Sequence, residues 1–361
     1  MLHENLSWRW RYASGGLYFG PPAWDAPVWP ARDSTPGHPP AQRPATPAEL
    51  RNLTENLKLS RYDIWTASLP DQLKASPVRR IILNLIPPQP ESIMPRVLSE
   101  FQLPRLVAGL NLIRQCLSNP STGVVMPRDE PEMQYLWRDP ARRNQLRLYS
   151  LTNRYPQGHP SILLRNLLRL KLQTSELPTH LGVLLLDPIS CWMLGCWLET
   201  GSCPDWRPIE IFTHDSMPAV AAAPLGHTLV AILATAGVVY KDRQCIVNGM
   251  MAGELLDPTV TEMAPWMQML SLRPVPEVET PVSCIRCGWC VSACPVGLNP
   301  VGLMAQVRVI EGLPAISSHE ATACIECGLC SYVCPSRLPL ATTICGIKTG
   351  APLNALRGGA V

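Results

Sequence analysis

At 361 residues the chain exceeds what one hydrophobic core ordinarily fills, about 250 residues, so two or three domains are expected. Its 31 Lys and Arg against 28 Asp and Glu leave a formal charge of +3, which gives no footing for nucleic acid or an anionic membrane as a partner. The 39 prolines exclude a coiled coil and predict short, interrupted elements, and 14 cysteines without a secretory leader point to metal-binding thiolates in a reducing compartment.

Residues 1–46 are rich in Trp, Pro, Gly and Arg without periodicity, and read as an irregular arm packed on something else. Its Trp8, Trp10, Trp24 and Trp29 suit a partner-docking segment. A capped helix is predicted from Thr46, with Pro47 in the first turn and Glu49 three residues on. The runs Arg79 to Ile86 and Leu181 to Asp187 read as buried strands, the first stopped by Pro87 and Pro88. Helical patterns, PRVLSEF and ILLRNLLRLKL, lie between them, so an α/β layer is the economical reading. Leu181 to Leu198 is the most membrane-like stretch, yet Asp187 and Pro188 at its middle argue for a strand followed by a helix. Thr228 to Tyr240 falls short of the roughly 20 apolar residues a span requires, so no direct membrane span is expected.

Between 206 and 256, IEIFTH reads as a strand, HTLVAILATAG as a short helix ended by Gly237, and RQCIVNG as another strand, which together make a small α+β module. From Pro281 onward two cysteine runs take over, joined by helical segments such as VGLMAQVRVIEG, and the last dozen residues read as a loose end.

Both runs, CIRCGWCVSACP and CIECGLCSYVCP, are C-x2-C-x2-C-x3-C-P, the ferredoxin spacing. Three cysteines two residues apart wrap a loop round one cubane, while the fourth, expected at a helix start, reaches the other cluster. Crossed pairing follows: Cys284, Cys287 and Cys290 with Cys334 for one 4Fe-4S cluster, and Cys324, Cys327 and Cys330 with Cys294 for the other. Gly288 and Gly328 stand where a side chain would crowd the inorganic sulfides, and Pro295 and Pro335 turn the chain away. Zinc is the competing ligand, but its sites favour two cysteine pairs over a triplet with a distant fourth. The other cysteines, at 116, 191, 196, 203, 245 and 345, lack ligand spacing and read as small buried hydrophobes. No glycine-rich phosphate loop and no Ser/His/Asp motif is present, so no catalytic residue is assigned.

The string CIRCGWCVSACPVGLNP followed by CIECGLCSYVCPSRLPL resembles the RnfC family, the C subunits of the Rnf ion-translocating oxidoreductase complex. Upstream, NRYPQGHPSILLRNLL resembles that family's Y-P-Q-G segment, LGVLLLD its next strand, and VNGMMAG its G-G-P-M-M-G turn, so residues 60 to 348 are covered in order. The resemblance implies an α/β flavin-domain relative over 47–205, a β-grasp module over 206–278, a helical dicluster ferredoxin domain over 279–350, and a tail over 351–361. It implies a peripheral subunit on the cytoplasmic face of the inner membrane. The implied partners are other subunits of a membrane redox complex and a small electron carrier.

The family's glycine-rich flavin loop reads DIWTASLPDQLKA here, with Asp63, Trp65 and Thr66 at its place, where bulk blocks the approach of backbone N–H groups to a phosphate. The segment N-G-A-E-C-E-P becomes NLIPPQP, which keeps Asn84 but puts Pro87 and Gln89 where two glutamates belong. The asparagine-containing stretch after the central strand is replaced by Asp187, Pro188, Ile189 and Ser190. These losses put FMN in doubt and favour an electron-transfer subunit whose flavin domain is a scaffold. The alternatives are a flavin-dependent NADH oxidoreductase, a cobalamin-reductase-like enzyme, or a structural or assembly subunit. The β-grasp module reads as a packing spacer.

Overall fold

The structure is a computed structural model that describes residues 11–13, 16–18, 40, 42–59, 65–74, 77–174, 176–213, 218–275, 280–309 and 318–349, the side chains of 11–13, 16–18, 307–309 and 318–319 excepted. The chain divides into two compact units, a larger one holding both principal sheets and a smaller one holding the cysteine runs.

In the larger unit, helix α1 (Pro47–Asn56) opens as its sequence predicts: Thr46 Oγ1 accepts from Glu49 N at 3.2 Å while the Glu49 carboxylate accepts from Thr46 N at 3.2 Å. Four parallel strands follow: β1 (Arg80–Asn84), β2 (Ser121–Pro127), β3 (Arg147–Leu151) and β4 (Val183–Leu186), in the order β3-β2-β1-β4. Helices α2 (Met94–Phe101) and α3 (Leu103–Cys116) lie between β1 and β2, α4 (Pro131–Arg143) between β2 and β3, and α5 (Pro160–Leu168) between β3 and β4. Helix α6 (Pro188–Thr200) follows β4 directly.

The strands read as unbroken apolar runs because both faces are covered. Leu83, Val124 and Leu184 pack with Leu110, Ile113 and Trp192 on one face. Ile82, Val125 and Leu185 pack with Leu163 and Leu164 on the other. Helices α3 and α6 meet through glycines: a Cβ on Gly109 would lie 2.0 Å from the Cys191 carbonyl oxygen, and one on Gly195 2.2 Å from that of Arg105. The run ILLRNLLRLKL is helical only to Leu168, because Arg169 takes the left-handed conformation (φ 60°) and ends the helix.

A mixed five-stranded sheet completes this unit. A hairpin of β5 (Trp206–Thr213) and β6 (Ala219–Pro224) leads to helix α7 (Leu229–Thr235), then β7 (Arg243–Val247), β8 (Glu254–Leu256) and β9 (Met269–Pro274). The order is β8-β7-β9-β5-β6, with β9 and β5 parallel at the centre and the other pairs antiparallel. Its core joins Ile209, Ile211, Leu229, Leu233, Cys245, Val247, Leu270 and Leu272. Gly237 ends α7 as the sequence predicts, at φ 74°.

In the smaller unit the described residues of 280–349 form short helices: α8 (Trp289–Ala293), α9 (Pro300–Val309), α10 (Ser318–Ala321), α11 (Leu329–Tyr332) and α12 (Leu340–Thr349). Two small apolar cores hold them, Leu303 with Ala321, Ile344 and Ile347, and Cys290 with Met304, Leu338 and Leu340. The N-terminal arm is not wholly irregular, since Arg11–Ala13 and Gly16–Tyr18 are short strands. The rest of residues 1–39 and the tail 351–361 lie outside the described residues. Among the described residues no helix is long and apolar enough to cross a membrane.

Candidate functional site: the cysteine loops and the cleft of the parallel sheet

The two cysteine runs share one backbone, repeated forty positions apart. Arg286 and Glu326 have φ of 55° and 57°, and Gly288 and Gly328 have φ of 77° and 76°. Each glycine stands at the entry of a one-turn helix, where positive φ is the requirement, and a Cβ on Gly288 would meet no protein atom within 4 Å. Sulfurs accept backbone hydrogen bonds in the same way in both loops: Arg286 N donates to Cys284 Sγ and Glu326 N to Cys324 Sγ, each at 3.4 Å. Leu298 N donates to Cys294 Sγ at 3.3 Å. The expected helix start at the fourth cysteine is corrected: Cys294 caps the C-terminal end of α8, and Cys334 follows α11, because three intervening residues suffice for only one helical turn.

All eight thiols are free. Burial pushes the Cys324 and Cys327 thiols up, and it pushes Cys330 to about 12; backbone N–H groups at each sulfur work against it. The charge of Cys294 acts on Cys324, Cys327 and Cys330, that of Cys334 acts on Cys290, and that of Cys290 acts on Cys330 as well. Cys290 and Cys334 also share one apolar core, Cys324 and Leu298 pack on the other, and Cys330 packs on both. No three metal-ligating side chains among the described residues converge on a single-ion centre; a cubane, with an iron at each of four corners, holds its thiolates farther apart. Free cysteines in glycine-turned loops, half in an apolar core and receiving N–H···S bonds, fit an iron–sulfur group, whose positive irons convert buried thiols to thiolates.

Of the remaining cysteines, 116, 191, 196 and 245 are buried, as small hydrophobes should be, while 203 and 345 are half-buried. Cys116 Sγ donates to the Pro44 carbonyl at 3.2 Å.

The parallel sheet has its own candidate site. Its strand order reverses between β1 and β4, and open α/β sheets bind ligands in the crevice at the carboxyl ends of such strands. Here Asn84 ends β1, with Nδ2 donating to the Gly158 carbonyl at 3.0 Å and Oδ1 accepting from Ile86 N at 3.1 Å. Asp187 follows β4 and caps α6, accepting from Ser190 N at 2.8 Å and Ser190 Oγ at 2.6 Å. A carboxylate therefore already occupies the helix end that would otherwise attract an anion. Between them, Asn84, Ile86, Ser92, Met94, Asp187 and Gln268 help line a cavity of about 20 Å³, roughly the room of one water.

Trp65 packs its ring on Tyr155 at 5.7 Å and edge-on against His159 at 5.1 Å. Gln72 pins the next turn to β4, its amide donating to the Leu185 carbonyl at 2.7 Å and accepting from Leu185 N at 3.1 Å. Thr66 is buried beside it, and Asp63 lies outside the described residues. Gln89 is buried against the Gly249 turn, and its amide has no hydrogen-bond partner among the described residues.

Three buried carboxylates, Glu91, Glu130 and Glu210, escaped the sequence reading, and two of them tie the start of α2 to the mixed sheet. Glu210 on β5 accepts from Ser92 Oγ at 2.9 Å, Ile93 N at 2.7 Å and Met94 N, and so caps α2 from the neighbouring sheet. Glu91 reaches the other way, accepting from Met250 N at 2.6 Å and Ser271 Oγ at 3.2 Å. Burial pushes Glu210 up to about 8 against these hydrogen bonds, the charge of Glu91 adding to it, and burial raises Glu91 as well. A glutamate amid the apolar run of WRPIEIFT was the available signal.

Residues 283–339 match the family described as a 4Fe-4S dicluster domain. Fold and site thus define an iron–sulfur protein with an α/β body. Among curated proteins, the chain is 24% identical over 240 residues to the C subunit of the ion-translocating oxidoreductase complex of Vibrio cholerae, covering 64% of this chain and 31% of that protein. It is 24% identical over 165 residues to the C subunit of the Na(+)-translocating ferredoxin:NAD(+) oxidoreductase complex of Acetobacterium woodii, covering 44% and 37%. To the proton-translocating counterpart of Clostridium ljungdahlii it is 23% identical over 202 residues, covering 54% and 44%. The alignments thus span between about a third and under half of these relatives' length. The chain is RnfC-like, a relative of these C subunits. In fold it resembles a chain of the NAD+-reducing NiFe hydrogenase in the H2-reduced state, at a TM-score of 0.57 and 14% identity, over 73% of this chain and 52% of that one.

Proposed function

We propose that the chain is an electron-transfer subunit of an Rnf-like ion-translocating ferredoxin:NAD oxidoreductase complex, carrying two 4Fe-4S clusters. The observation that carries this reading is the repeated cysteine loop, with matching glycine turns and N–H···S bonds, within a chain related to the C subunits. Cys284, Cys287, Cys290 and Cys334 hold one cluster; Cys324, Cys327, Cys330 and Cys294 hold the other. The electrostatic reach of Cys294 into the second run, and of Cys334 to Cys290, supports the crossing.

The strand order β3-β2-β1-β4 supports a flavin-domain relative over 47–205, and the parallel central pair flanked by a hairpin and a helix supports a β-grasp module over 206–278. Asp187 at the helix end, Trp65 over Tyr155 and the small cavity support a flavin domain kept as a scaffold. The partners are other subunits of the membrane complex and a small electron carrier, met by a peripheral subunit on the cytoplasmic face.

Anaerobic purification with iron and sulfide analysis, electron paramagnetic resonance and flavin extraction tests this. The expected protein has reducible 4Fe-4S signals and no stoichiometric FMN. Stoichiometric FMN with NADH oxidation by the isolated chain would favour the enzyme reading, and clusters that never change redox state would favour a structural role.

A further inference from the structure

The two cysteine runs have one backbone but different surroundings. Ile285 is 65% exposed where its counterpart Ile325 is 4%, and Trp289 is 57% exposed where Leu329 is 2%. Cys284 and Cys287 are exposed, whereas Cys324 is half-buried and Cys327 buried. Val282 and Val291 extend the exposed apolar surface of the first run. Sequence repetition fixed the loop's shape twice, and tertiary packing covered only one copy. An exposed, clustered Trp, Ile and two Val beside two exposed cluster-type cysteines is the signature of a surface kept for a partner.

Its charge narrows the partner. No Asp or Glu occurs between Thr280 and Val309, and the exposed Arg286 stands in the middle of the patch. The second run has Glu326 at that position, paired with Lys348 at 2.5 Å. A second copy of this chain docked face to face about a two-fold axis would set Arg286 against Arg286, so the patch disfavours self-association. An acidic surface is drawn to it.

We propose that the first cysteine run is the chain's electron-exchange face, and that its occupant is a redox protein presenting carboxylates around an apolar centre next to its own redox group. The proposal rests on the electron-transfer reading above. Electron tunnelling falls steeply with distance, so the cluster whose cysteines reach the surface is the one a partner's centre can approach. Trp289 and Ile285 supply the apolar contact, and Arg286 the steering. A small, charge-steered contact also suits a partner that must leave after each electron.

The test uses the full chain with its clusters reconstituted and, as probe, a reduced two-cluster bacterial ferredoxin of net negative charge, with electron transfer followed by stopped-flow absorbance. At low salt, Arg286→Glu is expected to lower the second-order rate about tenfold and Trp289→Ser several-fold, and the wild-type rate to fall as salt rises. Lys171→Glu, on the other unit, should leave the rate unchanged. Reduction by dithionite and the electron paramagnetic resonance spectra should be the same for all four proteins. An Arg286→Glu rate equal to wild type, an equal loss in Lys171→Glu, or a wild-type chain that dithionite reduces but the ferredoxin does not, overturns the proposal. Clusters that dithionite cannot reduce would instead overturn the electron-transfer reading itself.

Discussion

Replacing Glu210 by leucine removes the acceptor of three buried donors, Ser92 Oγ, Ile93 N and Met94 N, at the start of α2. Each donor left without a partner costs roughly 1–3 kcal/mol. At pH 6 part of that is offset, because the folded wild type must hold a proton on a group moved from 4.5 to about 8, a penalty of about 2 kcal/mol. The net loss is on the order of 3 kcal/mol at pH 6. Glu210→Gln keeps an acceptor oxygen, which limits its hydrogen-bond loss to about 1 kcal/mol. It is relieved of the same protonation penalty of about 2 kcal/mol, so at pH 6 it should be about as stable as the wild type or slightly more so.

The pH dependence has a definite sign. The folded value lies above the unfolded one, so the native state keeps a proton that the unfolded chain releases, and stability falls as pH rises from about 5 to about 8. The fall is at most about 5 kcal/mol. Glu91, raised by burial, and Glu130, pushed by burial to about 7, act in the same direction, so Glu210→Gln flattens the slope without abolishing it. Urea unfolding at pH 6 and 8.5, followed through the buried Trp137 and Trp192, measures both effects. The reasoning is refuted if Glu210→Leu lies within about 0.5 kcal/mol of wild type at pH 6, or if wild-type stability rises across that window.

Other expectations follow from single contacts. Gly109→Ala or Gly195→Ala forces a Cβ into a backbone carbonyl across the α3–α6 contact, and either should cost about 1–3 kcal/mol or more in the same unfolding assay. Asp187→Ala removes the cap of α6, at a cost of about 1 kcal/mol in thermal unfolding. If the cleft is closed by its own side chains, Trp65→Gly with Asp187→Asn should raise FMN affinity above the wild type's by fluorescence titration; no gain would show that these two residues are not what excludes it.

The sequence was most informative where local chemistry decides the structure. The capping box at Thr46, the apolar β1 and β4, and the cysteine spacing are each set by a few neighbouring residues. Strands β2 and β3 were missed because STGVVMP mixes glycine and proline into its apolar run and RLYSL sits half-exposed at the sheet edge, which weakens both signals. Glu210 and Glu91 acquire meaning only when α2 is brought against β5, far away in sequence. The unequal covering of the two cysteine loops is invisible in their shared spacing, because Ile285 and Ile325 differ in their surroundings and not in kind.

The central claim is two 4Fe-4S clusters with exchanged fourth ligands, and paired serine substitutions measured by iron content test it most directly. The wild type should hold about eight irons per chain. Cys294→Ser with Cys327→Ser strikes one cluster twice and should leave about four, whereas Cys294→Ser with Cys287→Ser strikes both and should leave almost none. The reverse pattern would contradict the crossing, and zinc in place of iron in the wild type would contradict the clusters themselves.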